Sequence, residues 1–369
     1  MNILLIAPLP PPTNGMSLAS KVLLDRIPQL HNVRVINLSK KKRPNSIGDH
    51  IKRSIEVLEF FWKVILRRKN IDLVYFTISE SIAGNIKDLV IYLLCAGKLN
   101  RMYIHMLGGA GMKRILENHR FLRYLNKIFI SRVKGVVVEG HAQQATFEKL
   151  TSQERIHIVP NFAEDFLFVD ESIVKKKFDD ILPIKILYLS NLIFGKGFEE
   201  LADAYLGLSS EMKDKMQLTF VGGFQSPAHE MAFLNKIKNE KGIIYYGKFV
   251  AGEEKKALYL KSHVFCLPTY YPYEGQPISI LEAYATGCVV VATLHSGIPD
   301  VFCDGQNGYA VEKKSADSIR SVLERLIVGK RTDLMQFALN NSKQARQKYR
   351  TSIYGESMLS ILELNGQKK

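Results

Sequence analysis

The sequence predicts an α/β protein made of two doubly wound, Rossmann-like domains in tandem. Three observations lead there. Residues 2–7 form a short apolar run that meets prolines at once and gives way, after the loop 8–15, to a helical pattern at 17–27. Strand, loop, helix is how such a domain opens, with ligands expected at the carboxyl ends of its strands. A second strand, loop, helix series starts at 184–190, and 369 residues are enough for two separate cores.

In the first half, further strands are expected at 33–38, 73–77, 101–106, 135–139 and 156–159, with helical segments between them that favour a parallel sheet. Pro160-Asn161-Phe162 closes this half, giving a first domain of 1–163. Residues 164–183 are charged, lack a strand pattern and end in proline, which predicts an interdomain linker. The second domain, 184–345, has strands expected at 184–190, 218–222, 243–246, 264–267 and 289–292. The chain is helical in pattern from about Ala316, with a last helix at 346–369.

A hydrophobic fraction of 46% and a charged fraction of 24% are those of a globular protein. The formal charge of +15 calls for an anionic partner: nucleic acid, an anionic membrane surface or a phosphorylated substrate. No nucleic-acid-reading motif or aromatic-interleaved basic patch is present, so nucleic acid is not expected. Cys95, Cys266, Cys288 and Cys303 are scattered, without metal-site spacing, which fits a reduced, cytoplasmic compartment and no structural zinc. The first residues read as a buried strand without a basic leader, and no apolar run reaches spanning length. Any membrane contact is therefore expected to be peripheral.

Chemistry concentrates in 267–304. Glu274 lies in a loop of turn formers, and helix-like spacing begins after Pro277, so Glu282 falls inside a helix whose start lies near Glu274. A helix start offers unpaired N–H groups and partial positive charge to a diphosphate, from residues such as Ile278 and Ser279. A carboxylate one turn further in can accept hydrogen bonds from vicinal hydroxyls. Lys196, between Gly195 and Gly197 after the first strand of the second half, is placed to meet the same diphosphate as a point charge. His105 ends a strand before Gly108-Gly109-Ala110-Gly111, where its ring can hydrogen-bond a hydroxyl.

Two basic amphipathic stretches lie in the first half. In 51–66, Ile51, Ile55, Leu58, Trp62 and Ile65 recur at helical spacing beside Lys52, Arg53 and Lys63. In 101–134 eight Lys or Arg stand against Glu117 alone, and on one helix Lys113, Arg120 and Lys127 share a face with Arg123 close by. Together with Arg114 these residues are candidates for an anionic leaflet.

Glu274-Gly-Gln-Pro-Ile, Leu281-Glu-Ala, Thr286-Gly-Cys-Val-Val-Val-Ala, Ser296-Gly-Ile-Pro-Asp and Asp304-Gly-Gln-Asn-Gly resemble, in order, the donor-binding half of retaining glycosyltransferase family 4, whose E-x7-E motif falls on Glu274 and Glu282. The resemblance implies the GT-B architecture, with two domains facing a cleft and a last helix crossing back to the first. It implies transfer of a sugar from a UDP- or GDP-sugar to a hydroxyl of a lipid-linked glycan acceptor in bacterial surface polysaccharide synthesis. Glu282 would hold the ribose, Glu274 the sugar hydroxyls with Gly275 and Gln276 setting which are read, Lys196 the diphosphate, His105 the transferred sugar, and Gly15 the close approach of backbone to donor. No cofactor and no metal are implied. Asn191 stands where relatives often carry arginine, and Pro277 where they often carry glycine. A nucleotide-sugar epimerase on the same fold and a non-catalytic basic binding protein are the alternatives.

Overall fold

The computed structural model describes residues 1–39 and 47–364, excepting the side chains of 47–55. Its contacts divide the chain into two units, Met1–Pro160 joined by the chain from Ser352 onward, and Asn161–Thr351.

The first unit is a six-stranded sheet of β1 (Asn2–Ala7), β2 (Asn32–Asn37), β3 (Leu73–Thr77), β4 (Met102–Met106), β5 (Gly135–Val138) and β6 (Ile156–Ile158), in the order β2-β1-β3-β4-β5-β6. The second holds β7 (Ile184–Leu189), β8 (Met216–Val221), β9 (Ile243–Tyr245), β10 (Val264–Leu267), β11 (Val289–Thr293) and β12 (Gly308–Val311), ordered β12-β11-β10-β7-β8-β9. Every pairing is parallel. The near-continuous aliphatic runs of the central strands follow from burial on both faces, as in Ile3–Ala7 and Val289–Thr293, which are fully buried.

Strand order reverses at β1 in the first sheet and between β7 and β10 in the second. At such a reversal the neighbouring chains leave toward opposite faces and open a crevice at the carboxyl edge. In the second unit the loops that open there are 190–197, after β7, and 268–277, after β10.

Several expectations need correction. Residues 164–183 are no linker: they contain the helix Glu171–Lys177 and send Leu167, Val169, Val174 and Phe178 into the second unit's core. The charges that suggested solvent exposure mislead at Lys177, whose Nζ is turned inward to donate to the carbonyls of Tyr259 (3.2 Å) and Thr286 (3.0 Å). Strand β12 was not expected, and its Gly308 is required because an added Cβ would sit 1.9 Å from the Val290 carbonyl oxygen. The return to the first unit begins at Ser352, later than 346, because the helix Arg331–Lys348 packs in the second unit through Leu334, Ala338 and Ala345. Ala163 donates its N–H to the Tyr349 carbonyl (2.8 Å), so the chain enters and leaves the second unit at adjoining points.

The basic stretch 111–130 is two helices, Gly111–Asn118 and Arg120–Ile130, broken where His119 turns extended. Lys113 and Lys127 therefore do not share one helix face. In the helix Ile47–Arg67, the side chains of Ile51, Lys52, Arg53 and Ile55 lie outside the described residues. Leu58 and Trp62 face solvent, while Phe60, Phe61 and Val64 meet the core.

If 164–183 is core, Phe178→Ala will cost about 3–5 kcal/mol of stability in urea unfolding. A linker position would change stability by no more than about 0.5 kcal/mol.

Candidate functional site

At the reversal between β7 and β10, the loop after β7 carries Lys196 and the loop after β10 carries Glu274. The two meet as an ion pair, Lys196 Nζ lying 2.9 and 2.8 Å from the carboxylate oxygens, with side chains 13% and 8% exposed. Lys196 also lies over the Tyr271 ring, 5.2 Å from its centroid. It is delivered by a turn with Gly195 and Gly197 at positive φ. Gly197 caps the helix Phe198–Leu206 from the left-handed region, and an added Cβ there would meet the Pro268 carbonyl oxygen at 2.2 Å.

Glu274 is fixed from several elements. The Thr269 hydroxyl donates to its carboxylate (2.8 Å), and the Thr293 hydroxyl at the end of β11 in turn donates to the Thr269 carbonyl. Ser296, itself at φ 52°, donates to the Glu274 carbonyl (2.6 Å), and the His295 ring meets the Tyr271 carbonyl (2.9 Å). Thr269 shares the loop of Glu274, whereas Thr293, His295 and Ser296 come from the next strand and its loop, so the E-x7-E spacing points to none of the four.

The helix Ile278–Ala285 begins at Pro277 with no side-chain cap. Its first amides, at Ile278 and Ser279, thus form an uncapped N-terminus beside Glu274. Gln276 departs from the role expected of it. It is turned inward, its Oε1 accepting from the Asn161 N–H (2.6 Å) and its carbonyl from the Asn161 side chain (3.0 Å), so it anchors the start of the second unit. Gly275 packs closely against the backbone of Gly297. Asn191 leaves its side chain exposed and uses its carbonyl to accept from Ile193 N–H.

Glu282 is buried on that helix. Lys255 donates to one of its oxygens (2.5 Å) and the Tyr259 hydroxyl to the other (3.1 Å), while Lys255 also reaches Glu164 (3.0 Å). Burial alone would depress the Lys255 ammonium, and the two carboxylates more than offset it, leaving its pKa raised. Lys255 was not singled out by the sequence, where it is one of four consecutive charges, Glu253 to Lys256.

The remaining candidates belong to the first unit. Gly15 opens the helix Gly15–Arg26 in ordinary helical backbone, behind a capping box in which Asn14 and Ser17 exchange hydrogen bonds of 3.0 and 2.9 Å. His105, on β4, is fully buried, with Nδ1 2.5 Å from the Tyr75 hydroxyl and Nε2 without a hydrogen-bond partner among the described residues. Burial pushes its pKa down to about 3, so the ring is neutral. In the loop after β3, Glu80 accepts from the Gly111 N–H (3.1 Å), and burial raises its pKa to about 7 against the opposing pull of the Gly111 and Gly109 amides. Lys113, Arg114, Arg120, Arg123 and Lys127 are all exposed. Among the described residues no cluster of His, Cys, Asp and Glu could hold a metal ion, and no helix is long and apolar enough to cross a membrane.

A buried ion pair beside an uncapped helix start, at the reversal of a parallel sheet, is an arrangement for an anionic ligand. Residues 170–348 match the sequence profile of the family Glycosyl transferases group 1. The matched stretch lies within the second unit. The chain is similar to an uncharacterized glycosyltransferase, MJ1069, of Methanocaldococcus jannaschii, 28% identical over 157 residues, 42% of this chain and 38% of that one. The amylovoran biosynthesis glycosyltransferase AmsK of Erwinia amylovora is 28% identical over 119 residues, 31% of this chain and 29% of its own. These matches therefore span well under half of either relative. In structure, the chain resembles Anabaena Alr3699/HepE in complex with UDP, with a TM-score of 0.75 at 15% identity, covering 98% of this chain and 100% of that one. The fold is GT-B.

Lys255→Met will strand the Glu282 carboxylate and cost about 3–5 kcal/mol in urea unfolding, much of it recovered in Lys255→Met/Glu282→Leu. A solvated pair would cost less than about 1 kcal/mol. Because His105 is neutral in the folded protein down to about pH 3 while an unfolded histidine protonates near its ordinary value of 6.5, its stabilising contribution is complete above pH 6.5 and is lost as pH falls toward 3. Urea unfolding at a series of pH values will show a shallower acid slope for His105→Phe than for the parent.

Proposed function

We propose that the chain is a retaining, metal-independent glycosyltransferase that takes a UDP- or GDP-sugar on its second unit. Its acceptor is a hydroxyl of a lipid-linked glycan in surface polysaccharide assembly. The observation that carries the reading is the Lys196–Glu274 pair beside the uncapped start of the helix Ile278–Ala285. When donor enters, Lys196 exchanges its glutamate for the diphosphate, and the amides of Ile278 and Ser279 take phosphate oxygens. Glu274, held by Thr269, is freed to accept from sugar hydroxyls. Glu282 accepts from the ribose with the remaining lone pairs of a carboxylate already ordered by Lys255 and Tyr259. In the first unit, the unsatisfied Nε2 of His105 is the group for a sugar hydroxyl.

In the transfer itself the bond from the anomeric carbon to the diphosphate oxygen breaks and the acceptor oxygen bonds to that carbon on the same face. The acceptor's proton passes to the departing diphosphate. Lys196 and the helix start stabilise the charge that develops there, which is where fixed positive groups accelerate a reaction most.

The membrane side of the reading draws on the first unit, where Leu58, Trp62, Phe121 and Tyr124 are 61–70% exposed and Arg120, Arg123 and Lys127 flank the latter two. Apolar and aromatic side chains among cations suit the interface of an anionic leaflet. Peripheral residence at the inner face of the cytoplasmic membrane follows from the same reading.

Thermal unfolding against UDP-, GDP-, ADP- and TDP-sugars, with chelator present, tests the donor. A ligand at one hundred times its Kd adds about 2.7 kcal/mol. One nucleotide class is expected to stabilise the parent, and Lys196→Met and Glu274→Gln are expected to lower kcat/KM by about 10²-fold or more. Rates near those of the parent for both variants would overturn the reading.

A further inference from the structure

A cavity of about 180 Å³ lies in the first unit between the helices Gly111–Asn118, Arg120–Ile130 and His141–Phe147 and the turn that follows. Its floor includes Leu116 and Leu150, both buried, and its charged lining is Lys113, Arg123 and Lys149 against Glu117. Glu117 sits 4.0 Å from Lys113, and among the described residues Arg123 and Lys149 form no ion pair. An apolar floor gives water few partners. Two unpaired cations and a third loosely held one suit an anion, and the planar fork of Arg123 suits phosphate oxygens in particular.

The source of that phosphate is indicated by what stands next to it. On the helix that supplies Arg123, Phe121 and Tyr124 are 70% and 63% exposed. Aromatic rings beside cations sit well at the headgroup level of a bilayer, whereas a site for a soluble phosphate has no use for them. We propose that this pocket seats a phosphate group carried on a lipid, the membrane-borne end of the acceptor, with Phe121 and Tyr124 entering the leaflet beside it. The assignment of an acceptor rests on the glycosyltransferase reading. The lipid-phosphate site itself rests on the pocket and the exposed rings.

The test uses the full chain and vesicles of phosphatidylcholine alone, with phosphatidylglycerol, or with a polyprenyl phosphate, and soluble pyrophosphate as competitor. Sedimentation is expected to show strongest binding to the polyprenyl phosphate vesicles, with little competition by pyrophosphate. Arg123→Ala/Lys149→Ala is expected to lower that binding by about tenfold or more. Phe121→Ser/Tyr124→Ser is expected to lower it as well. Lys313→Ala/Lys343→Ala, which removes two exposed charges from the second unit, is expected to leave it unchanged. An equal loss in the Lys313/Lys343 variant would reduce the effect to net charge and overturn the site. Equal binding to all vesicles, or full displacement by pyrophosphate, would overturn the lipid source. Nucleotide-sugar stabilisation measured on the same preparations separates the two readings. If donor binds and the pocket variants bind vesicles normally, this inference alone fails. If the pocket behaves as described and no donor binds, the glycosyltransferase reading fails.

Discussion

A parallel sheet can reverse its strand order only by sending two neighbouring chains to opposite faces, and the gap this leaves cannot be filled by either crossover. Here the gap lies between β7 and β10. Because both chains leave from the carboxyl edge, the loops that border it are built from the residues that directly follow each strand, and those residues hold Lys196 and Glu274. The other features of the site are secondary to this constraint. Thr269 and Thr293 tie the floor of the gap to β11, and the uncapped helix start faces it because the chain must turn back there.

Electrostatic economy governs what sits in the gap. A lysine largely removed from water needs a counter-charge, and so does a buried glutamate. Lys196 with Glu274, and Lys255 with Glu282 and Glu164, meet that need without an external ion. In the proposed reading Lys196 passes from one anion to another and is never left alone. Lys255 keeps its partners throughout, which makes it a positioning residue for the Glu282 carboxylate.

Most strands were legible because a twice-buried parallel strand leaves an unbroken aliphatic run, as at residues 2–7, 73–77 and 264–267, where the elements fall on the residues anticipated. β12 was not, since Gly308-Tyr-Ala-Val is short, begins with a glycine and lies at the sheet edge. The helix Glu171–Lys177 was hidden by its lysines, although Val174 and Phe178, four residues apart, mark its buried face. The pairing of Lys196 with Glu274 could be approached from the motif, which put both near one diphosphate. Lys255, Tyr259 and His295 reach the site only through tertiary contacts, and nothing in local spacing sets them apart. Gln276 shows the converse: a residue inside the motif whose side chain is used to hold Asn161.

The bond from Ala163 to Tyr349 closes the second unit like the neck of a purse. Chain entry and exit share one short seam, and the intervening segment contains its own sheet, its own core and the whole Lys196–Glu274–Glu282 constellation. In genetic terms that segment is a cassette. A single recombination event with breakpoints at the seam would exchange the Lys196–Glu274–Glu282 constellation whole while cutting no strand of the first sheet. The two units can therefore diverge in sequence on separate evolutionary clocks.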